Sequence, residues 1–260
     1  MIDLRDLGIN MAKETGKILL ENFRKEDMNL SWKGEHDVVT EVDHASEKYI
    51  IEQIRDSKMK CKILSEETGI IDLNGEEYEW IIDPLDGTYN YMRGIPHFCV
   101  SIGLEKNGEM ILGIIYDPYK KDLFVGEKKL GSTLNGKKIQ VSDAKNLKNN
   151  AILLEWSIEG SDLDTMLKMM ERIFMEIKKP QVLRCLALGL GYLACGRIDG
   201  LIYSYKDLKR WDVDPGSLIV EESGGILTDL DKRPWRNRER GLVAGNREFY
   251  DSLIDMVNPK

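Results

Sequence analysis

Positions Leu4, Leu7, Met11, Thr15, Ile18, Leu19 and Asn22 recur at spacings of three and four, which predicts an amphipathic first helix. A second helical pattern follows Asp43, with Tyr49, Ile50 and Ile54 on its inner face. Between about Lys60 and Ser142 the period changes. Short β-rich runs appear at Ile63-Leu64, Trp80-Ile82, Cys99-Leu104, Met110-Tyr116 and Leu123-Val125, and Asn107-Gly108 and Asn135-Gly136 read as hairpin turns. This part is expected to form a mostly antiparallel sheet. After Lys145 helical patterns near Leu163-Ile177, Leu186-Cys195, Gly216-Ser223 and Phe249-Val257 alternate with strands near Leu201-Tyr203, Gly225-Thr228 and Leu242-Ala244. The polar Ser142-Asn150 stretch is the expected seam. It divides the chain into an amino-terminal half, 1–145, and a smaller carboxy-terminal α/β half, 146–260. The whole is an α/β layered sandwich.

The chain has 260 residues, of which 42 % are apolar, enough for a sizeable core. Its formal charge of -8 lacks the basic excess of a nucleic-acid binder. No nucleic-acid partner is expected, and an anionic substrate must be held by something other than bulk positive charge. Cys61, Cys99, Cys185 and Cys195 show neither a C-x-x-C pair nor disulfide-framework density, which suggests buried thiols in a reducing compartment and no structural zinc site. The amino terminus has acidic residues where a signal peptide would be apolar, and no stretch reaches membrane-spanning length. The expectation is a cytoplasmic protein with no membrane partner.

The chemistry is concentrated in Trp80-Ile81-Ile82-Asp83-Pro84-Leu85-Asp86-Gly87-Thr88. An apolar strand runs into two carboxylates three positions apart, with Pro84 stiffening the turn and Gly87 permitting close backbone approach. Like charges held that close repel unless a cation offsets them, and Mg²⁺ takes oxygen ligands. Taken alone, the segment also reads as an ordinary Asp-Gly turn. Further carboxylates stand at element edges: Glu66 and Glu67 after Lys62-Ile63-Leu64, Asp212 after Trp211, and Asp37 and Asp43 around Val38-Val39-Thr40. Each has a structural explanation: Asp43 as a helix N-cap, Glu66 and Glu67 as solvated charges, Asp214-Pro215 as an N-cap followed by proline at N1.

Together these segments resemble the inositol monophosphatase family. Its signatures stand in order as Asp37-Val38-Val39-Thr40-Glu41-Val42-Asp43, Ser65-Glu66-Glu67, Asp83-Pro84-Leu85-Asp86-Gly87-Thr88, Trp211-Asp212-Val213 and Glu221-Glu222-Ser223-Gly224-Gly225. The resemblance implies a homodimeric Mg²⁺-dependent phosphatase acting on a small phosphorylated metabolite, with two to three ions. By it, Glu66, Asp83 and the Leu85 carbonyl would bind one metal, and Asp83, Asp86 and Asp212 a second. Thr88 would orient the attacking water, with Asp43 holding its hydroxyl and Glu66 helping to take the proton. The Gly87 and Thr88 N–H groups would meet the phosphate. Asn90-Tyr91 favours the inositol or sugar phosphatase branch over the nucleotide 3'-phosphatases.

Departures fall where the family grips the alcohol. Arg184-Cys185-Leu186-Ala187 replaces a Gly-Ser-Ala-Ala stretch, and Tyr203 stands where an acidic residue is usual. Arg184 is therefore a candidate for a second anionic group on the substrate, which raises fructose 1,6-bisphosphate beside inositol monophosphate. Asp86-Gly87-Thr88 also echoes the aspartyl-phosphate hydrolases, but their acidic residues are two apart, not three. A catalytically idle regulatory protein on the same fold is the rival from another class. His36, His44 and His97 lack metal-ligand spacing, the Met166-Met169-Met170-Met175 cluster reads as core filling, and Lys232-Arg233 with Arg236, Arg238 and Arg240 reads as a solvated basic loop.

Overall fold

A computed structural model describes residues 3–25, 30–32, 38–145, 150–156, 163–177, 179–204, 208–235 and 241–257. Helix α1 (Leu4–Asn22) starts at Asp3, whose carboxylate accepts N–H bonds from Arg5 and Asp6 and so satisfies two orphan donors. After a short antiparallel pair, β1 (Leu30–Trp32) and β2 (Val38–Thr40), helix α2 (Glu41–Asp56) opens with a capping box. Thr40 is its N-cap and Asp43 the reciprocal partner at N3. The helix thus starts earlier than the pattern suggested, and Asp43 is not the cap.

Strands β3 (Lys62–Ser65), β4 (Gly69–Asp72) and β5 (Tyr78–Asp86) lead to the short helix α3 (Thr88–Met92). Five more follow: β6 (Cys99–Lys106), β7 (Glu109–Asp117), β8 (Asp122–Glu127), β9 (Gly131–Leu134) and β10 (Lys137–Lys138). They form one sheet in the order β10-β9-β8-β7-β6-β5-β3-β4. All its pairings are antiparallel except β3 with β5. Asn107 and Gly108 have φ of 52° and 75°, and Asn135 and Gly136 have 51° and 78°, as tight hairpins between right-twisted strands require.

The remaining chain supplies β11 (Ala151–Trp156), α4 (Leu163–Glu176), β12 (Lys179–Gln181), α5 (Leu186–Ala194), β13 (Gly200–Ser204), α6 (Arg210–Glu222), β14 (Gly225–Thr228), β15 (Leu242–Asn246) and α7 (Arg247–Val257). The second sheet has the order β12-β11-β13-β15-β14 and is mixed. Strands β4, β9, β10, β11 and β12 had no counterpart in the sequence pattern.

Period-two alternation sorts the strands' side chains into layers. Ile114 joins the core under α1 and α2, while its neighbour Ile115 joins the core shared with α5 and α6. Leu153 faces that same middle core, and Ile152 and Leu154 face the outer one, with Ile173 and the α7 residues Leu253 and Ile254. The result is a five-layer αβαβα sandwich, the expected fold class. On α4 the contact with the core runs through Ile173 and Met169, and Met175 is 83 % exposed, so the methionine cluster is not wholly core. Arg236, Arg238 and Arg240 lie outside the described residues, as do His36 and Asp37.

Helix α6 begins at Arg210, six residues before the expected start, and carries Pro215 in its interior. Proline has no N–H to give the carbonyl four residues back. That carbonyl, on Trp211, instead accepts the Ser101 hydroxyl of β6 at 3.2 Å. Asp214 is likewise no N-cap: it accepts Trp235 Nε1–H at 2.8 Å and Arg210 Nε–H at 3.0 Å. The helix crosses the sheet over Gly103, Gly113 and Gly126, which are in register on three adjacent strands. A Cβ on Gly113 would meet the Pro215 carbonyl oxygen at 2.1 Å, so backbone rests on backbone.

Candidate active site

The carboxylates gather at the carboxyl end of β5. Ser65 of β3 pairs with Ile82, and Glu66 N–H donates to the Ile82 carbonyl at 3.2 Å, which brings Glu66 beside Asp83. The ladder between β5 and β6 shifts register between Asp83 and Asp86, and this irregularity lets both aspartates leave a strand whose neighbours are buried. The Asp83 carboxylate accepts the Leu85 N–H at 2.9 Å. Ser101 pairs with Asp83 and anchors Trp211, placing Asp212 at the first turn of α6 against the same region. Asp212 accepts the Lys209 N–H at 3.2 Å.

These groups share one field. Burial pushes the Asp83 carboxyl well above the usual carboxylate range, and the charges of Glu66, Asp86 and Asp212 push it further. Asp212 is raised well above that range by burial, then by Glu66 and Asp86. Asp86 is raised by burial, against the lowering effect of bonds from Cys185 and from the N–H of Ala187. Four carboxylates that destabilise one another's charges, with the neutral Leu85 carbonyl on the same strand as two of them, are chemistry that suits a hard divalent cation.

Asp43 and Thr88 also meet. Asp43 Oδ2 accepts the Thr40 N–H at 2.8 Å and the Thr40 hydroxyl, leaving Oδ1 3.3 Å from the Thr88 hydroxyl. The same hydroxyl lies 2.9 Å from the Leu85 carbonyl, so its single proton has two acceptors. Gly87 precedes α3 with φ 88°, and a Cβ there would also sit 2.9 Å from the His97 carbonyl oxygen. Arg184 lies in the loop between β12 and α5, which Asn90 ties to α3, and Tyr203 lies in β13 of the second sheet. Arg184, at φ 57°, donates through Nη1 to the Trp156 carbonyl at 2.7 Å. Tyr203 pairs in register with Glu155.

Several contacts around the site gave no sequence signal because the partners are distant along the chain. Glu47 of α2 accepts the N–H groups of Glu67 and Thr68 at 3.1 and 3.0 Å, fixing the turn after Glu66. The Asn90 amide donates to the carbonyls of His97, Leu183 and Arg184 and so ties α3 to the Arg184 loop. Buried Glu155 accepts the Leu183 and Arg184 N–H groups, and burial raises its carboxyl to about 7. The thiols of Cys99 and Cys185 lie 3.8 Å apart next to Asp86. Cys185 Sγ is 3.2 Å from Asp86 Oδ2, and burial pushes both thiols up, Cys99 to about 11. Among the described residues, the three donor atoms that come within 4.8 Å of one another are those of Asp86, Cys99 and Cys185, not those of the carboxylates alone. His44 is exposed, and His97 is lowered to about 4 by burial and by Lys120.

The profile of the inositol monophosphatase family matches residues 3–259. The chain is 36 % identical over 244 residues to the fructose-1,6-bisphosphatase/inositol-1-monophosphatase of Aquifex aeolicus, covering 93 % of this chain and 90 % of that one. It is 32 % identical over 256 residues to the Nus factor SuhB of Escherichia coli K12, covering 98 % and 95 %. Among solved structures, the Thermotoga maritima IMPase superposes with a TM-score of 0.89 at 29 % identity, covering 99 % of this chain and 97 % of that one. The extragenic suppressor protein suhB of Bartonella henselae gives 0.93 at 30 %, covering 98 % of each.

Proposed function

The chain belongs to the inositol monophosphatase family, and from that premise we propose that it is a magnesium-dependent phosphatase of small phosphate monoesters, with inositol monophosphate the first candidate substrate. The observation that carries the reading is the mutual electrostatic coupling of buried Asp83 with the half-buried Glu66, Asp86 and Asp212 around the end of β5. Glu66, Asp83 and the Leu85 carbonyl would hold one magnesium ion, and Asp83, Asp86 and Asp212 another, with a third near Glu66. Bound there, magnesium would acidify a water and offset the charge of the phosphate.

The chain's own groups have defined tasks in this reading. Asp43 directs the Thr88 hydroxyl, which orients the attacking water, and Glu66 helps take its proton. By the family resemblance, the N–H groups of Gly87 and Thr88 would meet the phosphate oxygens. Arg184 uses one donor on Trp156 and has others for a second anionic group of the substrate, and Tyr203 is the other substrate-side candidate. Fructose 1,6-bisphosphate is therefore the second candidate, and a nucleotide 3'-phosphate the third.

All four cysteines are free, which fits the cytoplasm, and among the described residues no helix is long and apolar enough to cross a membrane. A homodimer could use the exposed apolar side chains of Leu167, Phe174, Met175 and Val182, and the proposed boundary between the halves falls between the last strand of the first sheet and the first strand of the second. The name Nus factor among close relatives supports a second reading, a regulatory role on this fold. A phosphate-release assay over inositol 1-phosphate, fructose 1,6-bisphosphate and a nucleotide 3'-phosphate decides between them. Release that needs Mg²⁺, stops with a chelator and returns with added metal is the expected result. No release from any of the three at saturating Mg²⁺ would overturn the phosphatase reading.

A further inference from the structure

We propose that Asp86, Cys99 and Cys185 form a binding site for a thiophilic divalent cation of the zinc class. The site is built of two sulfurs and one carboxylate oxygen, unlike the oxygen sites above, and it overlaps them at Asp86. Only its effect on turnover rests on the phosphatase reading.

The donors are held by backbone. Cys99 is the register partner of Asp86 across β5 and β6, and Cys185 caps α5, whose Ala187 N–H donates to Asp86 Oδ2 at 2.7 Å. The sulfurs are 3.8 Å apart, and they stand 3.2 Å (Cys185) and 4.0 Å (Cys99) from Asp86 Oδ2. A tetrahedral zinc ion with Zn–S of about 2.3 Å and Zn–O of about 2.0–2.2 Å sets two thiolates about 3.8 Å apart and a thiolate and a carboxylate oxygen about 3.5 Å apart. The sulfur pair already stands at the separation the ion requires, and the two sulfur–oxygen distances lie about 0.3 Å short of it and about 0.5 Å beyond it. A disulfide fits worse, because its sulfurs must close to about 2.05 Å. Both side chains are fully enclosed, at 0 % and 1 % exposure, and leave little room for that movement.

Binding replaces the two thiol protons, which leave to solvent, by one dication. The complex of two thiolates and one carboxylate carries a single negative charge. Asp86 would then be withdrawn from the magnesium set, so zinc would oppose turnover even at saturating Mg²⁺.

The test uses Co²⁺ as a spectroscopic stand-in, added to the metal-stripped full-length protein. The expected result is a sulfur-to-cobalt charge-transfer band that saturates at one Co²⁺ per chain, survives excess Mg²⁺ and is discharged by Zn²⁺. The band should vanish in Cys99→Ser and in Cys185→Ser and persist in Cys61→Ser and Cys195→Ser. Absence of the band in the wild type, or its persistence in Cys99→Ser with native circular dichroism, would overturn the proposal. In turnover, Cys99→Ser should need roughly tenfold or more zinc for half-inhibition. The band is read without substrate. A protein that shows it yet releases no phosphate keeps the metal site and loses the phosphatase reading, and an active protein without it does the reverse.

Discussion

Replacing Glu155 by glutamine isolates the cost of one buried carboxylate beside the proposed site. The residue accepts the N–H groups of Leu183 and Arg184 through one oxygen, and a glutamine carbonyl oxygen can accept both. What the substitution removes is charge. Burial raises this carboxyl from 4.5 to about 7, opposed mainly by the Arg184 N–H and guanidinium. Between those two values the folded chain holds a proton that the unfolded chain has released. Stability therefore falls as pH rises through that window, and the full penalty applies above about 7. At about 1.4 kcal/mol per tenfold change in proton activity, the interval amounts to about 3 kcal/mol as an upper limit. Glu155→Gln should accordingly be more stable than the wild type by about 1–3 kcal/mol at pH 8, roughly 2–10 °C in Tm for a chain of this size. The advantage should shrink toward zero near pH 4.5. Urea unfolding of both proteins across this range, in chelator so that metal binding does not contribute, measures the difference directly. Parallel stability curves, or a variant weaker than the wild type at pH 8, would refute the argument by showing that the charged carboxylate is well accommodated.

Other substitutions test the remaining steps. Asp83→Asn keeps an acceptor for the Leu85 N–H while relieving repulsion with Glu66, Asp86 and Asp212, so it should raise the melting temperature in chelator. It should also cut Mg²⁺-dependent turnover by more than about a hundredfold, and near-normal turnover would remove Asp83 from the metal set. Arg184→Ala forfeits a charge-assisted bond worth roughly 1.5–3 kcal/mol, so kcat/KM for a bisphosphate should fall about ten- to a hundredfold and for a monophosphate much less. Equal loss on both would show that Arg184 does not read the distal group. Gly113→Ala places a methyl group against the Pro215 carbonyl and should cost about 1–3 kcal/mol or more in urea unfolding, and an unchanged midpoint would mean that α6 can lift without penalty.

Local signals carried much of the architecture. Asn107-Gly108 and Asn135-Gly136 specify their hairpins because few other pairs accept positive φ at both positions. The run from Trp80 to Asp86 is legible because a buried strand ending in two carboxylates has few purposes. What escaped was decided by partners far along the chain. Pro215 reads as a helix start, and it sits inside α6 because Ser101, more than a hundred residues earlier, occupies the carbonyl that proline leaves vacant. Nothing near Cys99 announces Cys185, and nothing near Asn90 announces Leu183, since each pair meets only when the two sheets are stacked. Strand β11 is an apolar run whose period alone does not separate strand from helix.

The glycine crossing of α6 over Gly103, Gly113 and Gly126 has a consequence for how freely the sequence around the site can drift. Where side chains separate two elements, each substitution resets the gap between them. Here, at Gly113 above all, the gap is set by the Pro215 backbone, which is the same whatever residues surround it. The distance from Asp212 to the end of β5 is thereby referred to a hard stop, as a machined part is referred to a datum face. Substitutions elsewhere in the core can lower the melting point without moving that contact.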